Sequence, residues 1–118
     1  MTVDQLMSPV VVTTHSDRPL GEVRCNMVEH KIRAVPVVDI DQKPIGILTS
    51  TDLLHDLVCD EMRVALFPKK EVLTIARGES ANSAAKMMRK HAVHHLVVTE
   101  DDKVVGIISS FDLLEAVC

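Results

Sequence analysis

The sequence repeats itself at an interval of about sixty residues. The nine residues from Gly46 to Leu54, GILTSTDLL, return as GIISSFDLL from Gly106 to Leu114. Further matches lie upstream at an offset of 61, among them Met27 with Met88. The offset changes from 61 to 60 between Val38 and Gly46, inside a polar stretch that is typical of a hairpin turn. A turn tolerates the loss of one residue. Such a return predicts an internal duplication, with two copies of one supersecondary unit.

The pattern of apolar residues predicts the order β-α-β-β-α in each copy. In the first copy the predicted elements are a strand at Val10–Thr14, a helix that is capped by Ser16 or Asp17, carries Pro19 in its first turn and an apolar stripe at Leu20, Val23 and Met27, and runs to about His30, strands at Ala34–Asp39 and Pro44–Leu48, and a helix from Thr51 to about Met62. In the second copy they are a strand at Val72–Ile75, a helix from the Ser80 cap to His91, strands at His95–Thr99 and Lys103–Ile108, and a helix at Ser110–Val117. A helical turn within Thr2–Met7 precedes them.

The fold class expected from this order is α+β, with two repeats packed about a pseudo-two-fold axis. Residues 1–62 form the first repeat, residues 63–70 a linker, and residues 71–118 the second repeat. Each half is close to the size at which burying a core becomes marginal, so we expect the halves to share one.

Composition argues against several classes of function. The net charge is −4, with two Phe and neither Tyr nor Trp, so the chain lacks both the basic patch and the aromatic platform of a nucleic-acid binder. Cys25, Cys59 and Cys118 are widely spaced and odd in number, which suits a reducing compartment better than a disulfide framework. No signal peptide or membrane span is visible in the sequence. We therefore expect a cytoplasmic, soluble protein.

The recurring motif places a hydroxyl three residues before a carboxylate, as Thr49 with Asp52 and as Ser109 with Asp112. One interpretation is a capping box at the start of a helix, and for a single copy this is favoured. The other is a ligand site, in which the hydroxyl and free N–H groups meet phosphate and the carboxylate accepts hydrogen bonds from a ribose diol. The glycine on the preceding strand would allow close approach of a ligand to the backbone.

Basic residues stand where each helix passes to the hairpin: Arg33 in the first copy, His94 and His95 in the second. With His91 they suggest a metal site. This is disfavoured because His91 ends a helix, whereas the next two begin a strand and point to opposite faces. Contact with a phosphate is the better interpretation if a nucleotide binds. No nucleophile motif or P-loop appears, and an enzyme is not expected.

These residues resemble the cystathionine-β-synthase (CBS) domain, which occurs in tandem pairs. The resemblance covers nearly the whole chain, about 7–56 and 66–118. It is carried by IRAVPVVD followed by GILTSTDLL, and by HHLVVTED followed by GIISSFDLL. The shared pattern is a glycine, two apolar residues, [ST]-x-x-D and two apolar residues. A single occurrence would match many unrelated proteins, but two occurrences at a domain-length interval are specific to the family.

The resemblance implies clefts between the two halves that bind AMP, ADP, ATP or S-adenosylmethionine, with no obligatory cofactor. The hydroxyl would contact phosphate, the aspartate the ribose, and the apolar positions the adenine. The implied positions in the first copy are Thr13, Thr14, Arg33, Val35, Pro36, Thr49 and Asp52. In the second copy they are Thr74, Ile75, His94, His95, Leu96, Ser109 and Asp112. The second copy departs from the first, with Val97 in place of Pro36 and His95 in place of Ala34.

The function expected on this basis is a stand-alone nucleotide or energy sensor, forming a homodimer and acting on an unknown effector in trans, unless the chain is a fragment of a longer protein. The alternative is a ligand-free dimerisation or interaction module in which the two motifs only cap helices.

Overall fold

The computed structural model describes residues 1–10, 12–54, 59–67 and 71–117. In chain order its elements are α1 (Val3–Leu6), β1 (Ser8–Pro9), α2 (Leu20–His30), β2 (Ala34–Val38), β3 (Pro44–Thr49), β4 (Thr74–Ala76), α3 (Ala81–His91), β5 (His95–Glu100), β6 (Lys103–Ser109) and α4 (Ser110–Glu115), with 3-10 helices at Asp52–Leu54 and Val64–Leu66. This mixture of helices and short sheets confirms the predicted α+β class.

The chain forms two compact units whose limits differ from those of the repeats. One unit is continuous, Val11–Glu71, and we call it the contiguous unit. The other joins Met1–Val10 to Val72–Cys118, and we call it the composite unit. The N-terminal ten residues therefore pack with the second repeat. The repeat boundaries inferred from the sequence stay a prediction about duplication, because a compact unit and a duplicated segment need not coincide.

The contiguous unit is built on one antiparallel hairpin. Strands β2 and β3 pair from Ala34 with Thr49 to Val37 with Gly46, and a register shift follows at Val38. All residues of β2 are buried. Helix α2 packs its predicted stripe against this hairpin. The core cluster contains Leu20, Val23, Met27, Val35, Val37, Leu48, Leu53 and Val64.

The composite unit contains a four-stranded sheet in the order β1-β6-β5-β4. Strands β5 and β6 form the predicted hairpin, β4 runs parallel to β5, and β1 closes the other edge against β6. Helix α3 begins at the predicted cap, since the Ser80 hydroxyl accepts the Ser83 N–H at 3.0 Å. Its core cluster contains Val3, Ile75, Ala84, Met88, Leu96, Val98 and Ile108.

Short backbone bonds fix the N-terminal segment within the composite unit. The Val3 N–H donates to the Glu79 carbonyl at 2.8 Å, and the Asp4 N–H donates to the Arg77 carbonyl at 3.0 Å. A hydrogen bond from the Thr2 hydroxyl is the main cause that lowers the pKa of Asp4; desolvation opposes it, and the charge of Arg77 adds a smaller lowering. Because a lowered pKa favours the carboxylate in the folded state, this contribution is present at neutral pH and is lost in acid.

The residues predicted as a linker repeat this arrangement in the contiguous unit. The Val64 N–H donates to the Arg18 carbonyl and the Ala65 N–H to the Ser16 carbonyl, both at 2.9 Å. Val64 is completely buried in that core. Within the described part of the predicted linker, Val64 therefore belongs to the core, whereas Arg63, Ala65 and Leu66 are exposed. Pro68, Lys69 and Lys70 lie outside the described residues.

The first strand of each copy differs from the prediction. The β-branched run Val10–Thr14 is not a strand in its described residues, and only Thr14 forms an isolated parallel bridge, with Val37. This bridge corresponds, at the offset of 61, to the parallel pair Ile75 with Val98 in the second copy, whereas the strand at Ser8–Pro9 pairs with β6 in the composite unit. In the second copy the strand is Thr74–Ala76, displaced from the predicted Val72–Ile75. The β-propensity of a residue reflects how well its side chain fits a pleated sheet, and it does not predict where a neighbouring strand is available for pairing.

Two helix predictions also need correction. Helix α2 begins after Pro19, which is its N-cap and gives no side-chain hydrogen bond, so neither Ser16 nor Asp17 caps it. The predicted helix from Thr51 to Met62 appears as a 3-10 turn at Asp52–Leu54 and as irregular structure at Cys59–Met62. The residues between these parts, 55–58, lie outside the described structure. At Asp52–Leu54 the described turn is a 3-10 helix, in which the Leu54 N–H donates to the Thr51 carbonyl, and not the α-helix that the apolar pattern predicted there.

The absence of a side chain at Gly106 allows the N-terminal segment to pack against strand β6. A Cβ at this position would lie 2.9 Å from the Ser8 carbonyl oxygen and would overlap the Met7 Sδ. We expect Gly106→Ala to lower the free energy of unfolding by about 1–3 kcal/mol, as in other cases of overpacking. Gly78→Ala is the control, because a Cβ there meets nothing within 4 Å. Equal effects in urea denaturation of the two variants would show that β1 is not held against β6.

Helices α2 and α3 both end on a non-glycine residue in the left-handed region, Lys31 and Ala92, each with φ of 53°. A residue with a Cβ atom in that region destabilises the folded state by about 1–2 kcal/mol. Glycine avoids this cost, but it raises the conformational entropy of the unfolded chain, which offsets part of the gain in stability. Ala92→Gly should therefore raise the free energy of unfolding by about 0.5–1 kcal/mol. Ala85→Gly, inside α3, should lower it by about 1 kcal/mol. Urea denaturation compares the two, and a loss of stability in both would contradict the left-handed cap.

Candidate functional site

Each hairpin ends in a turn that brings a hydroxyl and a carboxylate together. We call the pair Thr49 and Asp52, in the contiguous unit, the Thr49 corner. The pair Ser109 and Asp112, in the composite unit, is the Ser109 corner. Both hydroxyl residues are the last of their strands, β3 and β6, and all four side chains are partly exposed. The duplicated motif thus places a hydroxyl and a carboxylate at the end of the hairpin in both units, before a 3-10 helix in one and before α4 in the other.

The Ser109 corner is a complete capping box at the start of α4. The Ser109 N–H donates to Asp112 Oδ2 at 2.8 Å, and the Asp112 N–H donates to Ser109 Oγ at 3.1 Å. These bonds use only one carboxylate oxygen. Within the described part of the chain, Asp112 Oδ1 has no hydrogen-bond partner. The capping interpretation is therefore confirmed here, and one acceptor oxygen stays open.

The Thr49 corner has a different hydrogen-bond pattern. The Thr49 N–H and the Thr49 hydroxyl both donate to Asp52 Oδ2, at 2.8 and 2.9 Å. Thr49 Oγ1 also lies 3.1 Å from the Thr51 hydroxyl oxygen. Here the hydroxyl gives its proton to the carboxylate, whereas the Ser109 hydroxyl accepts one from the backbone.

The predicted basic residues lie beside these corners. The Ser50 N–H donates to the Arg33 carbonyl, and the Ser110 N–H donates to the His94 carbonyl, both at 2.9 Å. The Ser110 Oγ also lies 3.5 Å from His94 Nδ1. Arg33 and His94 are both exposed. A cationic or imidazole side chain therefore starts next to each turn, where an anionic group of a ligand could meet it.

One cross-strand neighbour differs between the corners. His95 pairs with Ser109 in the composite unit, whereas Ala34 pairs with Thr49 in the contiguous unit. His95 is half-buried and Ala34 is buried. The Ser109 corner therefore carries an additional polar ring, and the Thr49 corner carries a methyl group.

The apolar positions predicted to meet adenine come together within each unit but lie largely inside the core. The Thr14 N–H donates to the Pro36 carbonyl at 3.0 Å, and Thr74 pairs with Val97. The buried members of the set are Thr14, Val35, Pro36, Ile75 and Leu96, whereas Thr13 is partly exposed and Thr74 is exposed. Their role toward a ligand stays a prediction.

Sequence reasoning missed Ser50 and Ser110, whose N–H groups fix the basic residues against the corners. Serine occupies both equivalent positions of the nine-residue repeat, but these bonds come from the backbone and do not require serine. Because a backbone hydrogen bond can form with almost any side chain, the sequence pattern does not predict these two bonds.

Two further findings concern the described residues. Among them, no group of three or more His, Cys, Asp or Glu side chains is placed to hold a metal ion. None of their helices is both long enough and apolar enough to cross a membrane.

Comparison with known proteins identifies the family. The model of the CBS domain matches twice, at residues 3–59 and 64–118. The chain therefore belongs to the CBS domain family, as the recurring motif and the paired hairpins indicate. A solved structure of the CBS domain pair of protein MJ0100, in complex with 5′-methylthioadenosine and S-adenosyl-L-methionine, is similar over 100% of both chains, with 27% identity and a TM-score of 0.89.

Curated relatives are longer proteins. Homoserine O-acetyltransferase from Methanocorpusculum labreanum is 36% identical, over 93% of this chain but 23% of its own length. Inosine-5′-monophosphate dehydrogenase from Aquifex aeolicus is 34% identical, over 88% of this chain and 22% of its own length. The chain thus spans about a quarter or less of these enzymes.

The Ser109 hydroxyl should contribute measurably as a cap. Ser109→Ala removes the acceptor for the Asp112 N–H and should lower the free energy of unfolding by about 1 kcal/mol. Ser110→Ala, one residue on, removes no acceptor of a backbone N–H and should change it by less than about 0.5 kcal/mol. Urea denaturation measures both, and equal losses would contradict the capping geometry.

Proposed function

We propose that this chain is a regulatory module that binds adenosine-containing ligands through its hydroxyl–carboxylate corners. The observation that carries the proposal is the full-length similarity to the MJ0100 domain pair, whose structure contains 5′-methylthioadenosine and S-adenosyl-L-methionine. The candidate ligands are these two molecules and AMP, ADP and ATP. The proposal rests on family membership together with the local geometry of the corners.

The groups at the corners suit the parts of such a ligand. A carboxylate oxygen accepts hydrogen bonds from ribose hydroxyls, and a hydroxyl proton can be donated to a ligand oxygen. The Arg33 guanidinium offers several N–H donors to a phosphate. Regulation needs no chemical step, because a ligand that binds two arrangements of a protein with different affinities shifts the population between them.

A second candidate function is supported by the capping box. Both hydrogen bonds of the capping box are present at the Ser109 corner, so a structural role alone would explain the motif. The chain would then be a module that only assembles with other proteins. In both cases we propose a cytoplasmic homodimer whose output passes to an effector, either a separate protein or another domain of a longer chain. The enzymatic activities of the curated relatives are not proposed for this segment.

The first test is a thermal-shift screen with AMP, ADP, ATP, S-adenosylmethionine and 5′-methylthioadenosine, with guanosine analogues as controls. A ligand at about a hundred times its dissociation constant adds about 2.7 kcal/mol to the free energy of unfolding. For a domain of this size the midpoint should rise by on the order of 10 °C.

The same screen on a double variant, Asp52→Ala with Asp112→Ala, separates the two candidate functions. Under the proposal the shift disappears, whereas each lost cap lowers stability by only about 1 kcal/mol. If no adenosine ligand shifts the wild-type midpoint at millimolar concentration, the assembly module is the better account.

A further inference from the structure

The exposed side of helix α3 carries a concentration of positive charge. Lys86, Arg89 and Lys90 are exposed, and their spacing places them on one side of the helix. We call these three residues the basic face. No acidic residue occurs in α3. Among the described residues, the side chains of the basic face form no ion pair or hydrogen bond. The net charge of −4 for the whole chain conceals this local surplus.

The duplicate helix α2 shows that the fold does not require these charges. Both helices have 11 residues, and both end on a residue in the left-handed region. At the offset of 61, the basic face corresponds to Cys25, Val28 and Glu29, which are also exposed. These three positions carry one formal negative charge and no positive charge. A helix of the same length and burial therefore forms in this fold without cations there.

The helix dipole explains only part of the basic face. Cations are favoured in the last turn of a helix, and the effect falls off beyond that turn. Arg89 and Lys90 lie in the last turn of α3, whereas Lys86 lies one turn earlier. Lys86 and Lys90 are also four residues apart, a spacing at which like charges destabilise a helix. The stability of α3 therefore does not account for Lys86, whereas an anionic partner would.

The size of the basic face favours an acidic protein segment over a longer polyanion. From Lys86 to Lys90 the helix rises about 6 Å, which matches about two residues of an extended segment. The composite unit contains five Lys or Arg and seven Asp or Glu residues. Of these, Arg77 is already paired with Asp4 and Glu100. A nucleic acid or an anionic membrane would extend beyond the basic face onto this acidic surface. The two Phe residues of the chain are also too few for a base-stacking platform.

We propose that the basic face of α3 docks an acidic segment of a partner protein. The ammonium groups of the lysines and the Arg89 guanidinium supply hydrogen-bond donors, and Asp or Glu carboxylates supply the matching acceptors. Because exposed charges are screened by ions, the complex should weaken as salt is added. The proposal gives the effector a surface to bind and does not depend on an adenosine ligand, so each proposal can fail without the other.

Fluorescence anisotropy with a labelled oligoglutamate peptide tests the proposal on the full chain. Lys86→Glu combined with Lys90→Glu should weaken binding at least about tenfold, because two attractions become repulsions. The matched control is Lys43→Glu combined with Lys103→Glu, which makes the same change in net charge at two exposed lysines in equivalent positions of the hairpins. We expect this control to weaken binding less than about threefold, since those lysines lie outside the basic face.

A milder pair of substitutions covers the case in which the charge reversal prevents folding, as thermal unfolding would check. Lys86→Gln combined with Lys90→Gln removes the charges, keeps good helix formers, and should still weaken binding more than Lys43→Gln combined with Lys103→Gln. Equal losses in the matched variants would show that only net charge matters, and would overturn the proposal. So would the absence of any binding of the peptide by the wild-type chain at low salt.

Two further measurements separate the acidic segment from other anionic partners. The anisotropy assay is repeated with an oligonucleotide of equal charge, and sedimentation is measured with vesicles that contain phosphatidylserine. Tighter binding of either probe than of the peptide would overturn the assignment to a protein partner. Analytical ultracentrifugation of the wild-type chain covers the last alternative. Self-association that the variant with Lys86→Glu and Lys90→Glu abolishes, and the matched control does not, would assign the basic face to a second copy of this chain instead.

Discussion

Antiparallel pairing inside each hairpin is the constraint on which the site depends. The registers Ala34 with Thr49 and His95 with Ser109 align the start of one strand with the end of the next. Because paired strands lie about 4.8 Å apart, a basic residue just before the first strand meets the turn just after the second.

Much of this could be predicted from the sequence. Helix α3 has a clear apolar stripe, α2 has a narrower one at Leu20, Val23 and Met27, and the two hairpins have β-branched runs separated by polar turns, so the local pattern is sufficient to predict these elements. The hydroxyl–carboxylate motif was found because it occurs twice. The capping interpretation of Ser109 and Asp112 needed only the spacing of three residues, which places a side chain over the first turn of a helix.

Other parts depended on contacts that no local pattern contains. The strand at Ser8–Pro9 exists because β6, nearly a hundred residues later, offers it a partner. The burial of Val64 within a segment that looks like a linker has the same cause, since its N–H finds the Arg18 carbonyl. The opposite hydrogen-bond directions at Thr49 and Ser109 could not be predicted either, because serine and threonine carry the same functional group.

The composite unit draws its strands from both ends of the chain, which has a consequence for synthesis. The contiguous unit has all of its residues once translation has passed Glu71, whereas β1 must wait for β6 to emerge. Domains generally form from the N-terminus during synthesis, but here the first ten residues belong to the unit that is finished last. A domain fused ahead of Met1 would accordingly be connected, through β1, to the C-terminal half of the protein.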